Sequence, residues 1–210
     1  MSPLRLKQFL ILVYFSGLMG LILPDYRAFF LKLTPYTLWF TGLACLWTHP
    51  KKDLNAWIIY SGIFLSAWLV EVLGVKTGKI FGHYAYGQVL GAKFLEAPLT
   101  IGINWLLLVM CSHAVVAEWN LGGMYGRAAL GAGLMTLLDF FIEPVAIYFN
   151  FWYWENDQVP VQNFLAWWLL SFFFHLIYQL TGLSMASSLY RLILLLQFLF
   201  FIGLNLLIKT

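Results

Sequence analysis

Charge is what this sequence has least of. Of its 210 residues only 10% are Asp, Glu, Lys or Arg and 62% are hydrophobic, with a mean hydropathy of +0.82. Ordinary soluble domains carry roughly 25% charged residues, so a water-soluble globule is excluded and an integral membrane protein is indicated. Cysteine is scarce too. Cys45 and Cys111 lie in apolar runs at no ligand spacing, which argues against a disulfide scaffold and reads as two buried free thiols. There is no acidic tail or basic arm, and a net charge of +3 is ordinary for membrane flanks, so nucleic acid is not indicated as a partner. The missing motifs narrow the chemistry. His49, His83, His113 and His175 form no HxxxH or HxxH box, against a di-iron desaturase or hydroxylase. No DxxxD pair is present for a Mg²⁺-diphosphate site, and no GxGxxG or Walker A sequence offers a nucleotide seat. What remains is chemistry done by protons and water, with no metal and no cofactor.

What the chain does have is a succession of apolar runs, each long enough to cross a hydrocarbon core of about 30 Å. They predict an all-α bundle of about seven transmembrane helices in one multi-pass domain over residues 1–210, surrounded by membrane lipid. The expected helices are Leu6–Leu23, Ala28–Trp47, Leu54–Leu73, Pro98–Ala117, Arg127–Phe149, Asn163–Leu183 and Ser188–Ile208. The first follows Arg5 and Lys7 but ends in Pro24-Asp25 without a small-x-small cleavage site, so it reads as a retained helix. In the second, Pro35 fits a first turn if the buried part starts near Thr34. Gly74 is the expected C-cap of the third, leaving Glu71 in its last turn against the negative end of the macrodipole. Residues 118–126 form a Gly-rich turn. Pro144 predicts a kink in the fifth helix. Lys and Arg divide evenly between the two membrane faces, with Lys209 on the second. Setting aside the loop residues Lys76, Lys79 and Lys93 places the N-terminus in the cytoplasm.

The longest connection, from Val75 to Ala97, is rich in Gly and aromatics, which speaks for a functional loop rather than a disordered one. Alternation of the helices puts this loop, Glu71, the end of the fifth helix and the Trp152–Trp154 segment on one side of the membrane. Ionisable groups inside a bilayer are functional candidates by default. Asp139 and Glu143, at i and i+4 on one helix face, lead the list, with Glu71 beside them and Glu96 as an additional acid. Burial and a neighbouring like charge both disfavour ionisation, so at least one of the four is expected to hold a proton and act as a general acid. The bland alternative is that they pair with loop lysines or cap helix ends. His83, Tyr84 and Tyr86 could donate hydrogen bonds or steady a cation through their rings. Trp105, Trp152, Trp154, Trp167 and Trp168 could line a long apolar ligand or anchor the interface. His175 with Gln179 reads as an interhelical hydrogen-bonding pair, and Asn104 and Asn163 are similar cases.

Taken together, these residues resemble the membrane carotenoid biosynthesis proteins that include the carotenoid hydratases of the bisanhydrobacterioruberin and γ-carotene type. The resemblance covers roughly residues 65–170. It rests on Glu71-Val72-Leu73-Gly74 with Thr77-Gly78, on Phe81-Gly82-His83-Tyr84-Ala85-Tyr86, and on Ala97-Pro98 leading to Asn104-Trp105. Asp139 with Glu143-Pro144, and Trp152-Tyr153-Trp154 followed by Pro160, Asn163-Phe164 and Trp167, complete it. Glu143 stands where many members carry an aspartate, and Asp157-Gln158-Val159 replaces a more Tyr/Gly-rich approach to Pro160. The resemblance implies a cofactor-free lyase of the prokaryotic cytoplasmic membrane that adds water to a terminal isopropylidene C=C of an acyclic carotenoid. It implies Asp139, Glu143 and Glu71 as catalytic acids and bases, and His83, Tyr84, Tyr86, Asn104, Trp105, Trp152, Trp154, Asn163 and Trp167 around the substrate. A carotenoid cyclase, which starts with the same protonation, is the alternative enzyme. A carotenoid-binding protein or proton-coupled transporter is the alternative of another class, although no internal repeat of the transporter kind is visible. Oligomeric state is not written in any of these features.

Overall fold

The computed structural model describes residues 2–119 and 121–208; Lys209, counted above among the flanking charges, lies outside them. Seven α-helices make up most of the described chain: α1 (Pro3–Ile22), α2 (Pro24–Thr48), α3 (Leu54–Thr77), α4 (Leu99–Trp119), α5 (Gly123–Tyr148), α6 (Val161–Leu180) and α7 (Ser188–Leu207). Six of them, all but α2, are long and apolar enough to cross a membrane. The protein is an all-α, multi-pass membrane bundle. Outward-facing Leu12, Phe15, Leu65, Leu69, Leu165 and Leu169 remain exposed, as they must where the surrounding solvent is lipid tails. α4 is the central helix, with nearly every side chain from Thr100 to Ala114 buried and α2, α3, α5, α6 and α7 packed around it. Cys45 and Cys111 are buried free thiols.

Four helix boundaries depart from the sequence expectation for identifiable reasons. α2 begins at Pro24, so Pro35 is interior rather than in the first turn. Pro35 leaves the Leu31 carbonyl without its helical donor, and the hydroxyls of Thr34 and Thr37 donate to the flanking carbonyls of Phe30 and Leu33. α3 continues past Gly74 to Thr77 and ends at Gly78, whose φ of 63° is the left-handed conformation of a C-cap. Gly74 is small for another reason: a Cβ there would lie 2.6 Å from the Phe81 ring. Glu71 is therefore interior to α3 and clear of its negative end. α4 runs on to Trp119 and α5 starts at Gly123, so most of the expected Gly-rich turn is helix. α5 is assigned as helix without interruption through Pro144.

The long loop is built rather than loose. Its strand β1 (Tyr84–Tyr86) pairs antiparallel with β4 (Trp152–Trp154), Tyr84 opposite Trp154 and Tyr86 opposite Trp152. Gly87 makes this possible, because a Cβ at that position would sit 1.9 Å from the Asn150 carbonyl oxygen. A second short ladder joins β2 (Lys93–Phe94) to β3 (Ala97–Pro98) at the entrance to α4. The β1–β4 ribbon thus lies across one end of the bundle, over the C-terminal ends of α3 and α5 and the start of α6, where Gln162 Nε2 donates to the carbonyls of Lys79 and Ile80.

Candidate active site

Beneath the β1–β4 ribbon three carboxyl groups are buried together: Glu71 from α3 is 3% exposed, Asp139 and Glu143 from α5 are 1% and 3%. Their hydrogen-bonding differs sharply. Glu71 Oε2 accepts from the hydroxyls of Tyr84 and Tyr86, both at 2.6 Å, and Oε1 accepts from the Trp105 indole N–H at 2.8 Å. Glu143 Oε2 accepts from the indoles of Trp152 (2.9 Å) and Trp154 (2.8 Å), and Oε1 from Asn163 Nδ2 at 3.1 Å. Both glutamates are surrounded by donors alone, the complement suited to an ionised, acceptor-only carboxylate. Burial first, and then the Glu71 charge, push the Tyr84 and Tyr86 phenols well above their ordinary titration range, so both remain O–H donors. Asp139 is different. Its Oδ2 accepts from the same Asn163 Nδ2 at 2.8 Å, while its Oδ1 is buried without a partner. Asn163 therefore clamps Asp139 and Glu143 in fixed relation.

Asp139 also lines a cavity of about 370 Å³ that runs between the α1–α2 hairpin on one side and α4, α5 and α7 on the other. The walls are predominantly apolar. Thr100, Asn104, Trp152 and Trp167 also line it, and Gln197, Tyr14 and Thr37 add further polar groups to its walls. The exposed members of the lining are Phe9, Tyr36 and Phe40, on the spans of α1 and α2, so the mouth opens sideways toward lipid. Phe9 and Phe40 meet edge to face there at 5.4 Å. Among the described residues, no group of three or more His, Cys, Asp and Glu side chains is arranged to hold a metal ion.

A family model described as carotenoid biosynthesis protein matches residues 34–209, most of the chain. The chain belongs to this carotenoid biosynthesis family. It is also similar to a bisanhydrobacterioruberin hydratase of Haloarcula japonica, with 30% identity over 130 residues, 58% of this chain and 44% of that protein's length. The chain thus aligns with less than half of that relative. No solved structure matches it. Within this family member, the α1 wall of the cavity lies outside the matched segment.

Several residues singled out from sequence converge as expected, and others do not. Asp139, Glu143, Glu71, Asn163, Trp105, Trp152, Trp154, Tyr84 and Tyr86 form one connected cluster, and Trp167 stacks on Trp105 at 4.0 Å. Tyr84 and Tyr86 donate their hydroxyls to Glu71, and Trp105, Trp152 and Trp154 their indole N–H groups to carboxylates; of these five only Trp152 lines the cavity. Glu96 does not join: it is exposed in the β2–β3 turn at φ 74°. The His83 side chain is exposed and packs over Gly78, and only its backbone carbonyl is used, accepting from Glu155 N at 2.9 Å. Lys93 donates to the Tyr86 carbonyl rather than to an acid. Among the described residues no Lys or Arg pairs with the three acids. Trp168 is outside the cavity lining, stacked on Phe172. Sequence reasoning missed Tyr14 and Gln197; the signal for Gln197 was a lone amide within the apolar run Leu192–Phe201.

Proposed function

We propose that this protein is a carotenoid hydratase that adds water across a terminal isopropylidene C=C of an acyclic carotenoid, with Asp139 as the proton donor. The observation that carries this reading is the inequality among the three buried carboxyls. Glu71 and Glu143 have every oxygen engaged by donors, whereas Asp139 keeps one oxygen without a partner and borders the cavity. A protonated Asp139 is consistent with that asymmetry: Oδ2 accepts from Asn163, and Oδ1 carries a hydrogen that no protein acceptor holds. It also avoids a third adjacent negative charge, since like charges in close contact do not readily coexist in a low dielectric.

The chemistry then needs few parts. The polyene end slides from the bilayer through the mouth between α1 and α2 until its terminal double bond lies against Asp139. The Asp139 O–H gives its proton to the CH carbon of the isopropylidene group, leaving the positive charge on the tertiary carbon. The π faces of Trp152 and Trp167, both in the cavity wall, oppose that charge at close range. Water adds to the tertiary carbon, loses a proton to the Asp139 carboxylate and leaves a tertiary alcohol, with the acid restored. Glu71 and Glu143 provide fixed negative potential near the cation and hold Tyr84, Tyr86, Trp105, Trp152, Trp154 and Asn163 in place. The test is to incubate the purified protein with lycopene in proteoliposomes and weigh the product. Hydration raises the mass by that of one water per modified end. Cyclisation, which begins with the same protonation, leaves the mass unchanged, and a binding protein or transporter returns the carotenoid intact.

A further inference from the structure

A hydratase of this kind must keep one water molecule beside a carbocation inside an apolar cavity, and the cavity has a polar spot besides Asp139. Gln197 on α7 is 3% exposed, lines the cavity, and its Oε1 has no partner. Its Nε2 donates to the Tyr14 hydroxyl of α1 at 3.4 Å, and that hydroxyl also lies beside Thr41, whose own hydroxyl donates to the Thr37 carbonyl. An acceptor without a partner beside a tyrosine hydroxyl, the two reaching toward each other from α7 and α1, is a polar spot of the kind that retains a water molecule in an apolar surround. A buried carbonyl oxygen without a partner is costly, so a lone glutamine in such a run requires an explanation.

The register of the helices puts this spot near the acid. α5 and α7 run parallel and adjacent, tied by Asn205 Nδ2 donating to the Phe141 carbonyl at 2.7 Å and by the Phe141–Phe198 ring contact at 6.3 Å. Counting back from Phe141 to Asp139, the ring contact sets Gln197 about 1.5 Å and the Asn205 bond about 9 Å along the axis from the level of Asp139. Asp139 and Gln197, each with one oxygen that has no partner, therefore both line one cavity, from the neighbouring helices α5 and α7.

We infer that Gln197 and Tyr14 form the water-binding subsite of the reaction: Gln197 Oε1 accepts a hydrogen from the attacking water, Tyr14 Oη donates to it, and its lone pair faces the tertiary carbon that Asp139 has made cationic. The inference rests on the proposed hydratase reading and gives the site a proton-delivering residue and a separate water-holding pair. The water's oxygen forms the new C–O bond, one of its hydrogens remains on the alcohol, and the other returns to the Asp139 carboxylate. Without a held water the cation loses a proton from an adjacent carbon and reverts to an alkene, or closes a ring, and neither route adds the mass of a water.

Those routes give the experiment. Lycopene is incubated in D₂O proteoliposomes with wild type, Gln197→Met, Gln197→Glu, Tyr14→Phe and Asp139→Asn, and both tertiary alcohol and deuterium in recovered polyene are measured by mass. For Gln197→Met, near in volume but with no acceptor oxygen, the expected result is hydration down on the order of 10²-fold, the scale of a misplaced reactant, while deuterium still enters the polyene at its terminal carbons. Gln197→Glu, which keeps an acceptor, restores part of the hydration, and Tyr14→Phe loses less than Gln197→Met. Asp139→Asn loses both hydration and exchange. Wild-type hydration by Gln197→Met overturns the inference, and so does a parallel fall of hydration and exchange in a folded Gln197→Met protein, which would make Gln197 merely structural. If wild type itself forms no alcohol, it is the hydratase reading that falls.

Discussion

The bundle holds two buried polar clusters, one at each end, and they use the same expensive ingredients differently. Under the β1–β4 ribbon are Glu71, Asp139 and Glu143. At the opposite end are three buried imidazoles. His49 hydrogen-bonds with Tyr60 at 2.7 Å and Tyr178 at 3.1 Å, His113 with Ser184 at 2.6 Å, and His175 with Ser112 at 2.9 Å and the Ser171 carbonyl at 2.8 Å. Nearby, Gln179 bonds to the Met124 carbonyl and accepts from Arg127. These bonds tie α2, α3, α4, α5 and α6 to one another and to the segment before α7, and none of the three histidines lines the cavity that Asp139 borders. Buried polarity in a membrane helix is thus not sufficient to mark a site. What separates the ends is a vacancy in the hydrogen-bond accounting that coincides with a cavity wall.

The largest effect should follow from the residue that defines the difference. Asp139→Asn keeps the shape and loses the acid, and hydration of lycopene by the folded protein is expected to fall about 10²–10⁴-fold, the range of general acid catalysis, as read by product mass. Glu143→Gln comes next. It sets an amide among the Trp152, Trp154 and Asn163 donors, and each buried donor left without an acceptor costs about 1–3 kcal/mol. A lower melting temperature in detergent and a partial loss of turnover are expected together, because Asn163 also holds Asp139. At the other end, His175→Leu removes the bonds to Ser112 and the Ser171 carbonyl, with Ser112 keeping its donation to the Leu108 carbonyl, and should lower the melting temperature by a smaller amount while leaving turnover per folded molecule near wild type. If His175→Leu instead abolishes hydration without destabilising the protein, the division between a chemical end and a structural end breaks down. The smallest effect belongs to Glu96→Gln and His83→Gln, both exposed. Stability should stay within about 0.5 kcal/mol and product formation should be unchanged.

Much of the acid end was readable in the chain. Asp139 and Glu143 at i, i+4 in a greasy helix announce themselves by cost, and the alternation of helices correctly brought Glu71 and the Trp152–Trp154 segment to the same side. The hydrogen bonds between them were not readable, because they depend on the ribbon pairing of Tyr84 and Tyr86 with Trp154 and Trp152, set by a close approach at Gly87 and by Asn150 at φ 59°. Tyrosines in an aromatic loop look free to line a cavity until that pairing turns them onto Glu71. Glu96 fails for a related reason: a carboxyl close in sequence to Ala97 and Trp105 is turned outward by the tight β2–β3 connection. Gly74 illustrates the boundary errors, since glycine at a helix end and glycine under an aromatic ring look alike in sequence. Gln197 and Tyr14 were legible as polar residues in apolar runs, but only the α1–α7 packing joins them.

The central claim is that Asp139, alone among the three buried carboxyls, carries a hydrogen at neutral pH. It is tested most directly by infrared spectroscopy of the protein in lipid vesicles, reading the carbonyl stretch of a protonated carboxyl in wild type and in Asp139→Asn, Glu143→Gln and Glu71→Gln. Wild type, Glu143→Gln and Glu71→Gln should show that band and Asp139→Asn should lack it. A band that survives in Asp139→Asn and disappears in either glutamate variant would contradict the account.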